Sequence, residues 1–210
     1  MKLTLVADPM CSWCYGFGKE MTSLLERRPE IELELVMGGL TAHATDILDE
    51  AGKRFRLSHW EKVEQQTGLP FNRDGLMNRT NFVYNSEAIC RAVVAARIMA
   101  PGTNLLEVFR ALQRAFYVDA LDTTDGNVLA ATAAAALQRQ GRSVTSEEFL
   151  DVWGSASTVQ ATQADFSRTR ALAVNSFPTL FREVDGSLVR LGNGFGSVDE
   201  LEREVVRLSA

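Results

Sequence analysis

This 210-residue chain predicts a mixed α/β fold carrying an all-helical insertion, and three observations lead there. Two short apolar runs near the N-terminus flank a helical pattern, giving β-α-β within about forty residues. A helix, two strands joined by a tight turn, and a last helix close the chain. Everything between the two sets has helical texture.

Lys2–Ala7 reads as a buried strand. From Cys11 to about Arg28 the pattern is helical, with Phe17, Met21, Leu24 and Leu25 at helical spacing and Pro29 as the stop signal. Gly16 and Gly18 each cost such a helix up to about 1 kcal/mol relative to alanine. They mark either a close approach of another segment or a kink. Ile31–Met37 alternates as a second strand, closed by Gly38-Gly39, and the β-α-β unit implies a right-handed parallel crossover.

Six helices are expected next: Thr45–Lys53, Ser58–Gln66, Ser86–Met99, Asn104–Val118, Asp125–Gln140 and Ser146–Trp153. Each opens near a Ser, Thr, Asp or Asn cap, and several close on Gly or Pro. Gly68–Gly75 reads as a loop rich in breakers. Thr158–Ala173 is a further helix, followed by the segment Val174–Thr179. Thr179–Val184 and Ser187–Leu191 form a hairpin around Asp185-Gly186, a favoured two-residue turn. Gly192-Asn193-Gly194-Phe195-Gly196 lacks the spacing of a nucleotide-binding loop and is a turn. Ser197-Val198-Asp199-Glu200 is a capping box opening a helix to about Leu208. β-α-β followed by α-β-β-α is the thioredoxin plan. Residues 1–40 and 156–210 are expected to form the discontinuous thioredoxin-like domain, and 41–155 the helical insertion.

Composition is that of a globular protein, 46% hydrophobic and 23% charged. A net charge of −5 supplies no basic field for nucleic acid or anionic lipid. No apolar run reaches the roughly 18 residues of a membrane helix. Met1–Ala7 enters the cysteine motif at once and lacks the longer apolar region of a cleavable signal, and three cysteines make no disulfide framework. The expected location is therefore cytoplasmic.

The chemistry concentrates in Asp8-Pro9-Met10-Cys11-Ser12-Trp13-Cys14. A strand feeding a helix whose first turn carries C-x-x-C is the arrangement of thiol–disulfide chemistry. At i and i+3 both sulfurs lie on one helical face, close enough to bridge. The competing reading, half a zinc site, needs two more ligands, whereas His43 and His59 each stand alone; no metal is expected. Cys90 reads as a small hydrophobe packed in a helix. Asp8 reads as a helix cap or a support of the site. Tyr15, Phe17, Phe71 and Phe177 read either as the lining of a substrate groove or, as aromatics at such spacing more often are, as core; Trp13 is the exception, an accessible residue between the cysteines.

These residues resemble the DsbA-like thiol–disulfide oxidoreductases, in particular their cytosolic FrnE-like branch within the thioredoxin superfamily. The carriers are Asp8 to Gly18, Thr67-Gly68-Leu69-Pro70-Phe71, Ser86-Glu87-Ala88 with Cys90-Arg91-Ala92, Ala115-Phe116-Tyr117-Val118 ahead of Asp122 and Val128-Leu129, and Asn175-Ser176-Phe177-Pro178-Thr179. The resemblance implies a thioredoxin-like fold with an inserted helical domain. It implies Cys11 as the attacking and Cys14 as the resolving cysteine. It also implies Pro178 as a cis-proline facing the pair, with Phe177 and Trp13 toward substrate and Asp8, Ser12 and Thr179 in support. The expected partners are protein or peptide thiols and disulfides, with glutathione or a thioredoxin-type reductant as candidate co-substrate and no bound cofactor, in a monomer or homodimer. The Ser12-Trp13 centre departs from the Pro-His of strongly oxidising members. It brings no positive charge, so a modest rather than strong oxidant is expected, with the direction open.

A second class is a glutathione-dependent transferase or isomerase. The chain also resembles the kappa-class transferases and 2-hydroxychromene-2-carboxylate isomerases, which share the inserted helical domain but generally hold a serine at the position of Cys11. Keeping both cysteines favours redox chemistry. A third class, a non-catalytic binding module, predicts that Cys11→Ser keeps its binding.

Overall fold

The structure, a computed structural model, describes residues 1–192 and 194–207. The expected turn residue Asn193 and the expected helix end at Leu208 lie outside the described residues. Among those described, the order is β1 (Lys2–Ala7), α1 (Ser12–Arg27), β2 (Glu32–Met37), α2 (Glu50–Thr67), α3 (Arg73–Met77), α4 (Glu87–Met99), α5 (Leu105–Tyr117), α6 (Gly126–Arg139), α7 (Ser146–Gly154), α8 (Ala156–Ala171), β3 (Thr179–Val184), β4 (Ser187–Leu191) and α9 (Val198–Arg207).

The strands make one mixed sheet in the order β2-β1-β3-β4. β1 runs parallel to β2, as the crossover through α1 requires, and antiparallel to β3; β3 and β4 form the hairpin. Asp185 (φ 50°) and Gly186 (φ 76°) give that hairpin its left-handed turn. This is the thioredoxin-like sheet, and α2 to α7 form the helical insertion. The main core runs continuously from Leu3 and Leu5 of β1 through Phe17 and Met21 of α1 to Val93, Phe109 and Leu137 of the insertion, and Val6, Val36 and Phe181 form a second, small cluster.

As an edge strand, β2 has backbone groups that the sheet leaves unpaired, and an unmade buried hydrogen bond costs about 1–3 kcal/mol. Side chains from α4 and α8 meet them. Arg97 donates to the Leu35 carbonyl (3.0 Å), Asp165 accepts from the Met37 N–H (2.9 Å), and Thr169 donates to the Met37 carbonyl (3.2 Å). Arg97 and Asp165 also pair with each other at 3.0 and 3.1 Å, and Arg168 clamps Glu34 with two bonds. This clamp holds the Glu34 carboxyl at about 2, below the usual carboxylate range, the Arg168 hydrogen bond being the main cause.

Two expected helices prove to be one. Thr45–Lys53 and Ser58–Gln66 are replaced by the unbroken 18-residue α2. Ser58 looks like a cap in sequence, but its hydroxyl donates to the Phe55 carbonyl (2.8 Å) inside the helix. Asp49 is the actual cap, accepting from Gly52 N–H (2.7 Å), and before it Ile47 forms a β-bridge with Val83. The helix buries only Lys53, Trp60, Val63 and Thr67, one narrow face of a largely polar segment. The expected loop Gly68–Gly75 contains the start of α3, because Asn72 accepts from Gly75 N–H (2.8 Å) and caps it. α8 starts two residues before expected, at Ala156, on the Ser155 cap. The box at Ser197 and Glu200 forms as expected.

Gly16 marks a close approach rather than a kink. A Cβ there would lie 2.9 Å from Val63 and 3.0 Å from Thr67, so glycine lets α2 press against α1 beside the cysteine pair. No helix among the described residues is long and apolar enough to cross a membrane.

Candidate active site

The chain turns from β1 into α1 at Asp8 to Cys11. The Cys11 N–H donates to the Asp8 carbonyl (3.0 Å), and the Cys11 carbonyl accepts from Tyr15 N–H (3.0 Å), making Cys11 the N-cap of α1. No side chain caps this helix and no acidic residue occupies its first turn. Its unpaired N–H groups and positive end are thus left to the Cys11 position, a setting that favours an anion.

All three cysteines are free thiols. Cys11 lines a cavity of about 340 Å³, and its Sγ lies 3.6 Å from the Phe177 carbonyl. The Phe177–Pro178 peptide bond is cis, and the loop before β3 stands beside the first cysteine. Cys14, one turn into the helix, is sealed in the core at 2% exposure. Burial, then the hydrogen bond and charge of Cys11, push the Cys14 thiol well above its ordinary range; the Asp8 backbone N–H opposes them weakly. Both cysteines are buried, yet the two sulfurs are unlike: Cys11, at 7% exposure, lines the cavity, while Cys14 lies deeper and holds its proton.

Trp13 is half-buried, edge-on to Phe195 with ring centroids 5.7 Å apart. Trp13 and Phe177 wall the Cys11 cavity on one side and a second cavity of about 390 Å³, which includes Pro178, on the other. Gly38 makes room for this arrangement, since a Cβ there would fall 2.1 Å from the Phe177 ring. Ser12 is buried in the cavity lining. Thr179 reaches neither cysteine; its hydroxyl donates to the Ser176 carbonyl (2.8 Å) and fixes the loop. Tyr15, Phe17 and Phe71 belong to the core.

Asp8 does not cap α1. Its buried carboxylate accepts from Met10 N–H (2.8 Å), Leu40 N–H (2.6 Å), the Ser86 hydroxyl (2.6 Å) and the Cys90 thiol (3.6 Å). It ties the turn before Cys11 to the loop after β2 and to the start of α4. Burial raises its pKa above the ordinary carboxylate value, although these donors pull the other way. Cys90 is buried as expected but is also a donor in this cluster. Burial first and the Asp8 charge second push its thiol well up.

Sequence reasoning missed the far wall of the cavity. Phe55, Arg56, His59 and Trp60 of α2 line it, with Leu40 and Tyr84. Their spacing, i, i+1, i+4, i+5, is one helical face and would have been legible had α2 been read as a single helix. Tyr84 donates to the Met10 carbonyl (2.7 Å), bracing the residue before Cys11. Among the described residues, no group of three or more His, Cys, Asp and Glu side chains is gathered as a metal site would require.

No family model and no curated protein sequence matches the chain. Solved structures do. A protein from Nitrosomonas europaea, provisionally called a protein disulfide isomerase, superposes with a TM-score of 0.87 at 27% identity, over 98% of this chain and 96% of that one. The cytosolic disulfide reductase DsbM from Pseudomonas aeruginosa superposes with a TM-score of 0.80 at 26% identity over 100% of both chains. A 2-hydroxychromene-2-carboxylate isomerase shares the fold alone, with a TM-score of 0.67 at 11% identity over 100% of this chain and 96% of that one. In its thioredoxin-like sheet, its helical insertion and the cysteine at the head of α1, the chain is similar to the DsbA-like oxidoreductases.

Proposed function

We propose that this protein reduces disulfides through the Cys11–Cys14 pair, within the cytoplasm and on the FrnE-like branch of its family. The observation that carries the reading is the unlikeness of the two sulfurs. Cys11 sits at a cavity and at a helix N-terminus, the position of an attacking thiolate, while Cys14 is buried, protonated and one turn away. Cys11 thiolate attacks one substrate sulfur, breaks the S–S bond and releases one thiolate, leaving a mixed disulfide. Cys14 then gives up its proton and attacks Cys11 Sγ, releasing the second thiolate and closing Cys11–Cys14. Two electrons have passed to the substrate. Two thiols of glutathione, or one dithiol of a thioredoxin-type protein, return them and open the Cys11–Cys14 bond.

The reducing direction is supported by the uncharged Ser12-Trp13 centre and by the likeness to a protein named a cytosolic disulfide reductase. That protein is also known with glutathione bound, which supports glutathione as the electron donor here. Catalysed reduction of insulin by glutathione, with no conjugation of glutathione to an aryl chloride, is the expected result. Conjugation without insulin reduction would favour the transferase reading instead.

A further inference from the structure

The cavity beside Cys11 is apolar apart from one place. Trp13, Leu40, Phe55, Trp60, Tyr84 and Phe177 form most of its wall; no acidic side chain lines it, and Arg56 and His59 are its basic ones. In a chain of net charge −5 this is no part of a general basic surface.

Arg56 is held in place with most of its donors unspent. Its guanidinium lies 4.1 Å from the centroid of the Tyr84 ring, and one nitrogen donates to the Gly52 carbonyl (3.2 Å). Among the described residues no carboxylate is within ion-pair distance of it, whereas Arg27, Arg73, Arg91, Arg97 and Arg168 each have one. A guanidinium carries five N–H donors in a fixed fork suited to a carboxylate. The ring beneath it is itself fixed, through the Tyr84 hydroxyl, to Met10 next to Cys11. A cation thus stands at a set position relative to the attacking sulfur. Its apolar surroundings strengthen any charge pair made there.

We propose that this cavity selects disulfides whose sulfur is borne on an aromatic or bulky apolar body carrying a carboxylate, with Arg56 receiving the carboxylate. The proposal rests on the Cys11–Cys14 exchange argued above and adds its substrate class. In the step, one half of the substrate bonds to Cys11 and the other leaves as thiolate. Cys14 then displaces the first half, its proton going to solvent, and the enzyme ends oxidised with both halves reduced.

The test is a single turnover of the pre-reduced protein with 4,4′-dithiodibenzoate and with its uncharged bis-amide. Each rate is divided by that disulfide's uncatalysed rate with glutathione, which removes leaving-group differences. Wild type is expected to prefer the carboxylate about tenfold or more, the scale of a hydrogen bond to a charged group. In Arg56→Gln the preference is expected to fall to about one, through half-saturation rather than limiting rate, and Arg56→Lys to restore part of it. The preference is taken within each protein, so a general weakening of the site cancels. As a measurement on the wild type alone, benzoate is expected to slow alkylation of Cys11 by iodoacetamide and benzamide is not. Equal turnover of both disulfides by wild type, or a preference unchanged in Arg56→Gln, would overturn the substrate assignment alone. Absence of reaction with either disulfide would overturn the exchange reading with it.

Discussion

Replacing Cys14 by serine is expected to arrest the protein as a mixed disulfide on Cys11, and replacing Cys11 by serine to abolish exchange. Cys11→Ser removes the only sulfur of the pair that lines a cavity, and disulfide reduction should fall on the order of 10³-fold or more, the scale on which loss of a nucleophile is felt. Cys14 cannot take over. It is buried, and burial together with the neighbouring Cys11 keeps its proton on. Cys14→Ser leaves the attack intact but removes the displacement that frees the substrate. Mass spectrometry after mixing with a disulfide should therefore find one substrate half on Cys11 in Cys14→Ser and almost none in wild type. Full multiple-turnover activity of Cys14→Ser on protein disulfides would point instead to a route that uses one cysteine and external thiol.

The second large effect is expected at Asp8. Asp8→Ala strands the Met10 N–H and removes the acceptor of Ser86 and Cys90 in a buried place, and it also frees the Leu40 N–H, which is only part-buried. At about 1–3 kcal/mol per unsatisfied donor, a loss of roughly 3 kcal/mol or more in unfolding free energy is expected from urea denaturation of the reduced protein. Asp8→Asn keeps the shape and removes the titration. Because burial raises the folded-state pKa of Asp8, the folded protein binds this proton more tightly than the unfolded chain does. The stabilisation from that proton is complete below the unfolded value of about 3.9 and is lost as pH rises through the folded value. The stability of wild type minus that of Asp8→Asn should thus fall with rising pH across this window and be flat above it. A difference that grows with pH would mean that the donors around Asp8 outweigh its burial.

Local chemistry explains what was legible in the sequence. The Asp185-Gly186 turn, the Ser197 box and the alternation of Ile31–Met37 depend on neighbours in the chain, and each appears where expected. The Cys11-Ser12-Trp13-Cys14 motif is local as well, and Cys11 stands where expected, at the head of α1. What escaped depends on distant partners. The sequence divides α2 because Ser58 mimics a cap and because the buried face of the helix is a thin stripe, recognisable only once α1 presses on it through Gly16. That misreading hid Arg56 and His59, ordinary surface residues until the helix places them across the cavity from Cys11. Asp8 lies close enough to Cys11 in sequence to be noticed. Its partners Leu40, Ser86 and Cys90 arrive from two other segments, so a supposed helix cap turns out to be a buried junction.

Disulfide exchange through the Cys11–Cys14 couple is tested most directly by its reduction potential. The protein is equilibrated in dithiothreitol or glutathione redox buffers and alkylated, and its cysteines are mapped by mass. The expected result is a single two-electron transition between free thiols and a Cys11–Cys14 disulfide, with Cys90 reduced throughout, at a potential nearer about −270 mV than about −120 mV. A potential near about −120 mV would contradict the reducing direction, and failure of Cys11 and Cys14 to pair with each other would contradict the mechanism itself.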